Sequence, residues 1–309
     1  MAGVGDVRVA RATLAGLAHL ANPWLVEIIA THQPVDALAR LAAADLPDVM
    51  LDALPAGAAG PQLLEQAAAI ARQTARAGAR VVIPEDDEWP QQLPDLAATP
   101  GLGLGAVLCL WVRSDLPQPV SVALRRAVAV VGARAATSYG MHVAEQLGTG
   151  LADAGWTIVS TGGFGIDTAA LRGALAGDGI PVAVLAAGVD QPRPYANRDL
   201  FDHIAQRGML LSLWPPGTTP QRARYTATAA LVATLTTATV LVEASARSRA
   251  LTIVQHAIER DRPTMVVPGP VTSAVSDGAH HTLRTYPQTR LVRGSTDVLA
   301  ELAEPPATA

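Results

Sequence analysis

Residues Val128–Asp167 read VAVVGARAATSYGMHVAEQLGTGLADAGWTIVSTGGFGID, and this stretch decides the fold. One turn carries Gly132 and the other carries Gly162, Gly163 and Gly165. Each follows an apolar β-branched run and opens a helical pattern, about one βαβ unit apart. Glycine removes the Cβ that would hold a ligand phosphate off the backbone. The helix start that follows presents free N–H groups and the positive end of a dipole. The pattern predicts a site for something anionic.

Outward from this stretch, strand and helix alternate from about Ala123 at the spacing of a doubly wound sheet. Strands are predicted at Ala127–Val131, Thr157–Ser160, Val182–Ala186, Met209–Leu211, Val240–Val242 and Thr264–Val267. Helices are predicted at Gly140–Ala154, Thr168–Ala176, Asn197–Arg207, Thr228–Thr236 and Arg249–Arg260. The strands are apolar throughout, as strands covered on both faces must be. Ligands in this architecture sit beyond the carboxyl ends of the strands, where strand order reverses. The fold class expected is α/β: an extended Rossmann-like, doubly wound, mostly parallel sheet with a small N-terminal helical domain.

Before this region the pattern is different. Val7 to Arg80 has apolar residues at three- and four-residue spacing, broken at Asn22–Pro23, Gln33–Pro34 and Leu54–Pro55. Glu85–Pro90 (EDDEWP) is an acidic, proline-closed loop, and Pro94, Pro100, Pro117 and Pro119 surround a strand-like Ala106–Val112. The expected division is a helical domain over 1–80, a connector or sheet extension over 81–121, and a Rossmann-like domain over 122–309.

Composition bounds the function. Half of the 309 residues are hydrophobic but only 4% aromatic, which suits helices packed closely on a buried sheet. No apolar run approaches the ~20 residues of a membrane span, and the N-terminus has no charged-then-apolar leader, so a cytoplasmic protein without membrane contact is expected. The single Cys109 has no partner for an internal disulfide or a zinc cluster and reads as a buried strand residue. All 23 basic residues are arginine, which excludes a Walker A loop and a lysine Schiff base. Residues 1–121 carry a net −6 and residues 122–309 a net +2, so a polyanion should meet the second part. No hydrolase elbow, zinc-protease helix or framed carboxylate pair occurs, and no metal or cofactor is called for. The adjacent His280 and His281 would point apart on a helix and make a poor metal pair.

At the predicted loops the chain resembles the DNA-processing protein A (DprA/Smf) family, whose members bind single-stranded DNA and help load a RecA-type recombinase. Gly132-Ala133-Arg134 with Ser138-Tyr139-Gly140 is similar to the family's GSR…SxYG turn. Ser160 to Asp167 with Arg172-Gly173-Ala174-Leu175 resembles SGxxxGID…AHxGAL, and Gly188-Val189-Asp190, Pro194 and Asn197 resemble GLDxxYPxxN. Leu210-Leu211-Ser212 with Pro215-Pro216-Gly217, then Val242-Glu243-Ala244, Ser248, Leu251-Thr252 and Val267-Pro268-Gly269, continue the series in order. Departures fall on polar positions. Tyr225-Thr226-Ala227-Thr228-Ala229-Ala230 stands where the family has FPxRNR, and Ser248-Arg249-Ala250-Leu251 where it has SGSL. Leu171, Phe164, Leu213 and His280 replace polar family residues.

Loss of two arginine–phosphate contacts would cost about 3–6 kcal/mol, or roughly 100- to 10,000-fold in affinity. Arg134, Arg222, Arg224, Arg247 and Arg249 lie near enough in sequence to the affected loops to rebuild an anion rim. The phosphate-binding set expected is Gly132, Arg134, Ser138, Gly162, Gly163, Gly165, Asp167 and those further arginines. Each has a plainer reading beside it. The glycines also suit tight packing turns, Asp167 suits a helix cap, and Arg134 a surface ion pair. Tyr195, Tyr225 and Trp214 are candidates for base stacking or for local packing. The resemblance implies a non-catalytic single-strand binder that acts as a homodimer with a recombinase partner. The alternatives are a sensor of a free nucleotide in the same loops, and a structural relative without ligand. With the sequence closing soon after Glu301, the winged-helix appendix of some relatives is not expected.

Overall fold

The computed structural model describes residues 6–18, 23–97 and 107–303. Helices α1 (Val7–Ala18), α2 (Pro23–Thr31), α3 (Pro34–Ala43), α4 (Asp48–Ala53) and α5 (Gln62–Arg76) form the N-terminal layer. Strand β1 (Ala79–Val82), α6 (Pro94–Ala97), β2 (Leu110–Arg113) and α7 (Val120–Ala123) follow. Then come β3 (Ala127–Val131), α8 (Ser138–Asp153), β4 (Thr157–Ser160), α9 (Ile166–Ala176), β5 (Pro181–Leu185), α10 (Arg198–Arg207) and β6 (Met209–Ser212). The chain returns through α11 (Arg222–Leu235), β7 (Ala238–Leu241), α12 (Ala250–Ile258), β8 (Thr264–Val266), α13 (Asp277–Thr285), β9 (Arg290–Leu291) and α14 (Ser295–Ala303).

The nine strands form one sheet in the order β1-β2-β6-β5-β4-β3-β7-β8-β9. From β6 to β9 all neighbours are parallel, whereas β2 runs antiparallel to β6, and β1 to β2. Strand order reverses at β3, which has β4 on one side and β7 on the other. Each central strand feeds two cores. Ala127, Ala129 and Val131 of β3 pack with α11 and α12, while Val128 and Val130 pack with α8 and α9. This two-residue alternation with both faces buried accounts for the continuous apolar runs.

The six strands predicted from about Ala123 onward are present, some shifted by a residue or two. Three expectations are corrected. The helical pattern read through Arg80 ends at Arg76, because Ala79–Val82 pair with Leu110–Arg113 as a strand. The strand read as Ala106–Val112 is Leu110–Arg113, with Ala106 outside the described residues, as are Asn22 and Pro100. Helix α11 begins at Arg222 rather than Thr228, with consequences for the site. The acidic loop is structural: Asp86 pairs with Arg8, Glu85 with Arg11 and Glu88 with Arg80. Arg80 holds the Glu88 carboxyl below its ordinary range. The N-terminal helices share a core with Trp111, Leu171, Leu185 and Phe201, and the Trp111 indole N–H donates to the Thr74 hydroxyl at 3.1 Å.

Small residues let α8 and α9 touch. A Cβ on Gly148 would lie 2.2 Å from the Ala170 carbonyl, and one on Gly173 2.2 Å from the Glu145 carbonyl. Alanine in a helix normally gains roughly 0.5–1 kcal/mol over glycine, but overpacking costs about 1–3 kcal/mol. Gly173→Ala is therefore expected to lower unfolding free energy in a urea titration by about 1–2 kcal/mol. A stabilised variant would contradict the close crossing.

Candidate nucleic-acid interface

The crevice opens where the loops after β3 and β7 part. They are laced at their base: the Ala133 N–H donates to the Glu243 carbonyl at 2.7 Å, and the Ile166 N–H to the Ala133 carbonyl at 3.2 Å. A Cβ on Gly132 would lie 2.6 Å from Ile166 Cγ1 and 2.7 Å from the Glu243 carbonyl oxygen. Gly165 has φ +72°, and its Cβ would meet the Ala133 carbonyl oxygen at 2.3 Å. At Gly162 a Cβ would strike the Phe201 ring. These three glycines serve chain-on-chain packing, the plainer of the two readings. Gly163 is buried, with Asp167 Oδ2 3.3 Å and Arg134 Nε 3.8 Å from where its Cβ would be.

Asp167, 6% exposed, does not cap its helix. Gly165 holds the N-cap position of α9 without a side-chain bond. The Asp167 carboxylate instead turns back and accepts from the Thr161 hydroxyl, and the nearby backbone N–H groups of Gly132, Thr161 and Gly163 favour its charged form. Burial pushes its carboxyl above the ordinary range, and these hydrogen bonds oppose that push. The start of α8 is arranged alike. Glu243, 2% exposed, accepts from the Thr137 N–H at 2.9 Å and the Thr137 hydroxyl at 2.6 Å. Thr137 Oγ1 in turn accepts from the Gly140 N–H at 3.1 Å. Ser138 is exposed beside this cap. The amides of Gly132 and Gly163, expected to face a phosphate, face the protein's own carboxylate.

The cations lie just outside. A crevice of about 310 Å³ is lined by Gly132, Arg134, Thr161, Asp167, Tyr225 and Arg249, with Arg247 and Ser248 beside them. An adjoining hollow of about 550 Å³ shares Tyr225 and Arg249 and adds Gln221 and Arg222. Tyr225 sits within cation–π range of two guanidiniums, Arg134 at 5.5 Å and Arg249 at 4.7 Å from its centroid. Among the described residues Arg134, Arg222, Arg247 and Arg249 form no ion pair with a carboxylate.

Arg224 is the exception. It is 7% exposed, lies 5.3 Å from the Trp214 centroid and donates to the Thr219 carbonyl, and burial lowers its pKa. The early start of α11 explains this, since positions 222 and 224 lie about 200° apart around a helix. Trp214 is itself buried and offers no free face. Tyr195 is exposed and carries Arg193 on its ring. Arg193 escaped the sequence reading, although it stands at the tyrosine position of the GLDxxYPxxN-like run. Cys109 is buried, which pushes its thiol up, and His280 contacts the Gly269 carbonyl. Among the described residues no group of His, Cys, Asp or Glu could hold a metal ion.

Comparison with known proteins agrees with the fold. Residues 80–303 match the family described as DNA recombination-mediator protein A. A Mycobacterium tuberculosis relative named as a DNA processing protein DprA is 45% identical over 215 residues, 68% of this chain and 54% of its own. The chain thus spans about half the length of the curated relatives it first matches. The structure of DNA processing protein A from Streptococcus pneumoniae superposes with a TM-score of 0.71 and 27% identity, over 93% of this chain and 95% of that one. A Helicobacter pylori DNA processing protein A, described for its single-stranded DNA binding mode, shares the fold. Its TM-score is 0.62 at 22% identity, over 73% of this chain and 97% of that one.

The folded chain binds the Asp167 proton more tightly than the unfolded chain does. Stability should therefore fall as pH rises from the ordinary carboxyl range through the folded-state value. A carbon-13 NMR titration of the Asp167 carboxyl should show a midpoint above that range. A midpoint within or below it would contradict the assigned balance of burial and hydrogen bonding.

Proposed function

The chain belongs to the DNA recombination-mediator protein A family, and on that premise we propose that it binds single-stranded DNA, without sequence readout, across the carboxyl edge of the sheet. The observation that carries this reading is the set of four arginines without acidic partners, Arg134, Arg222, Arg247 and Arg249, around two adjoining hollows that meet at Tyr225. Guanidinium forks hold phosphate oxygens, and the exposed backbone of a flexible strand supplies phosphates in series. Direct phosphate contacts belong to these side chains and to the Ser138 and Ser248 hydroxyls. The amides of Gly132 and Gly163 act behind them, through Asp167, and Gly162 and Gly165 shape the turns. Arg224 is left out of the contact set.

The reading includes no catalytic step and no cofactor or metal. It extends, from the family's description, to a role in DNA processing and recombination, with a second copy of this chain and a RecA-type recombinase as partners. Among the described residues no helix is long and apolar enough to cross a membrane, and the proposed setting is the cytoplasm, during DNA uptake.

One observation favours a second reading. The crevice, at about 310 Å³, is at the small-ligand end of binding pockets and would take a single nucleotide against Thr161, Thr228, Ser245 and Ser248. Titration of a labelled oligothymidylate against rising salt separates the two. Single-strand binding should lose affinity steeply, with a log–log slope of about −0.7 per phosphate, or about −3 for four contacts. Arg134→Ala and Arg249→Ala should each weaken it by roughly 10- to 100-fold. Tight mononucleotide binding without oligonucleotide binding would favour the sensor, and neither would favour a structural relative.

A further inference from the structure

One more cation stands at the carboxyl edge of the sheet, outside the rim described above. Arg193 lies between Pro192 and Pro194 in the loop after β5. Its guanidinium carbon is 3.4 Å from the centroid of the Tyr195 ring, and Tyr195 is 62% exposed. A guanidinium laid on an aromatic face is held in one plane and loses less freedom when it forms hydrogen bonds. Among the described residues Arg193 has no carboxylate partner, and its Nε is buried without a hydrogen-bond partner. Arg113 and Arg207, at the opposite, amino edge of the sheet, are by contrast paired with Asp202 and Asp178.

Position gives this lone charge its meaning. Arg193 lines a small recess with Thr161, Tyr225 and Thr228, and these three residues also line the crevice that holds Arg134 and Arg249. Tyr225 is thus a shared wall, with Arg193 beyond it. The recess, at about 20 Å³, has room for about one water molecule, so a strand would pass across its mouth.

We propose that Arg193, presented by Tyr195, is a further phosphate-contacting residue that carries the rim past Tyr225 toward β5, and that the free face of Tyr195 stacks a base of the same strand. This rests on the single-strand reading above and gives that strand a direction, from Arg222 and Arg249 across Tyr225 to Arg193.

The test is oligothymidylate binding across a salt series by the wild-type chain, Arg193→Ala, Arg193→Lys and Tyr195→Ala, with thermal unfolding of each. Arg193→Ala is expected to weaken binding at low salt by about tenfold or more and to make the salt slope shallower by about 0.7. Arg193→Lys should keep the slope but lose part of the affinity. Tyr195→Ala should lose affinity. If Arg193→Ala loses its thermal transition, Arg193→Gln takes its place with the same expected outcome. A folded Arg193→Ala or Arg193→Gln with wild-type affinity and slope overturns the assignment and leaves the single-strand reading standing. Failure of the wild-type chain to bind oligothymidylate overturns the reading beneath it.

Discussion

A single buried carboxyl group, that of Asp167, is what the crevice is built around. The Thr161 hydroxyl donates to it and the backbone N–H groups of Gly132, Thr161 and Gly163 lie close enough to favour its charged form, so the turn after β3 and the turn after β4 meet at one carboxyl group. The price is desolvation, opposed by three backbone N–H groups and one hydroxyl. Glu243 does for the start of α8 what Asp167 does for the turns. Both turns are thereby supplied with an internal acceptor, and attraction for an external anion passes to the side chains in front. This inverts the usual arrangement, in which bare amides meet the phosphate.

How much of this was readable in the residues depended on the scale of the feature. The central strands were readable because β3 to β8 are apolar on both faces and flanked by glycine turns, a pattern with few other physical solutions. The edge strands β9 and β1 were not, because an edge strand, buried on neither face throughout, takes its identity from a neighbour across the ladder. Helix α11 starts six residues before the apolar pattern predicts. Its first turn, Arg222-Ala223-Arg224-Tyr225, follows Gln221, which makes no side-chain cap bond, so nothing local announces its start. That one displacement separates Arg224, buried against Trp214, from Arg222 at the rim.

The chemistry of the site was readable as a set of residue types and hidden as a set of directions. That arginine would gather near these loops follows from charge counting. That Tyr225 would lie within reach of two of them, or that Asp167 would reach back to amides instead of forward to its helix, requires the turn geometry itself. A ring flanked by two guanidiniums fixes their spacing, and since neither is in an ion pair among the described residues, their mutual repulsion is relieved when an anion arrives. The absence of lysine sharpens this, since a planar fork can rest on a ring in a way that an ammonium does not.

The walls of the crevice come from remote parts of the chain. Thr137 and Glu243, whose hydrogen bonds join the start of α8 to the end of β7, are 106 residues apart in sequence, and β4, β5 and β6 lie in the chain between β3 and the β7 that pairs with it. Closure over so long a span is entropically costly until that sheet exists. A nascent chain that has not reached residue 243 therefore carries the first glycine turn without its opposite wall, and competence to capture a ligand arrives with the completed topology.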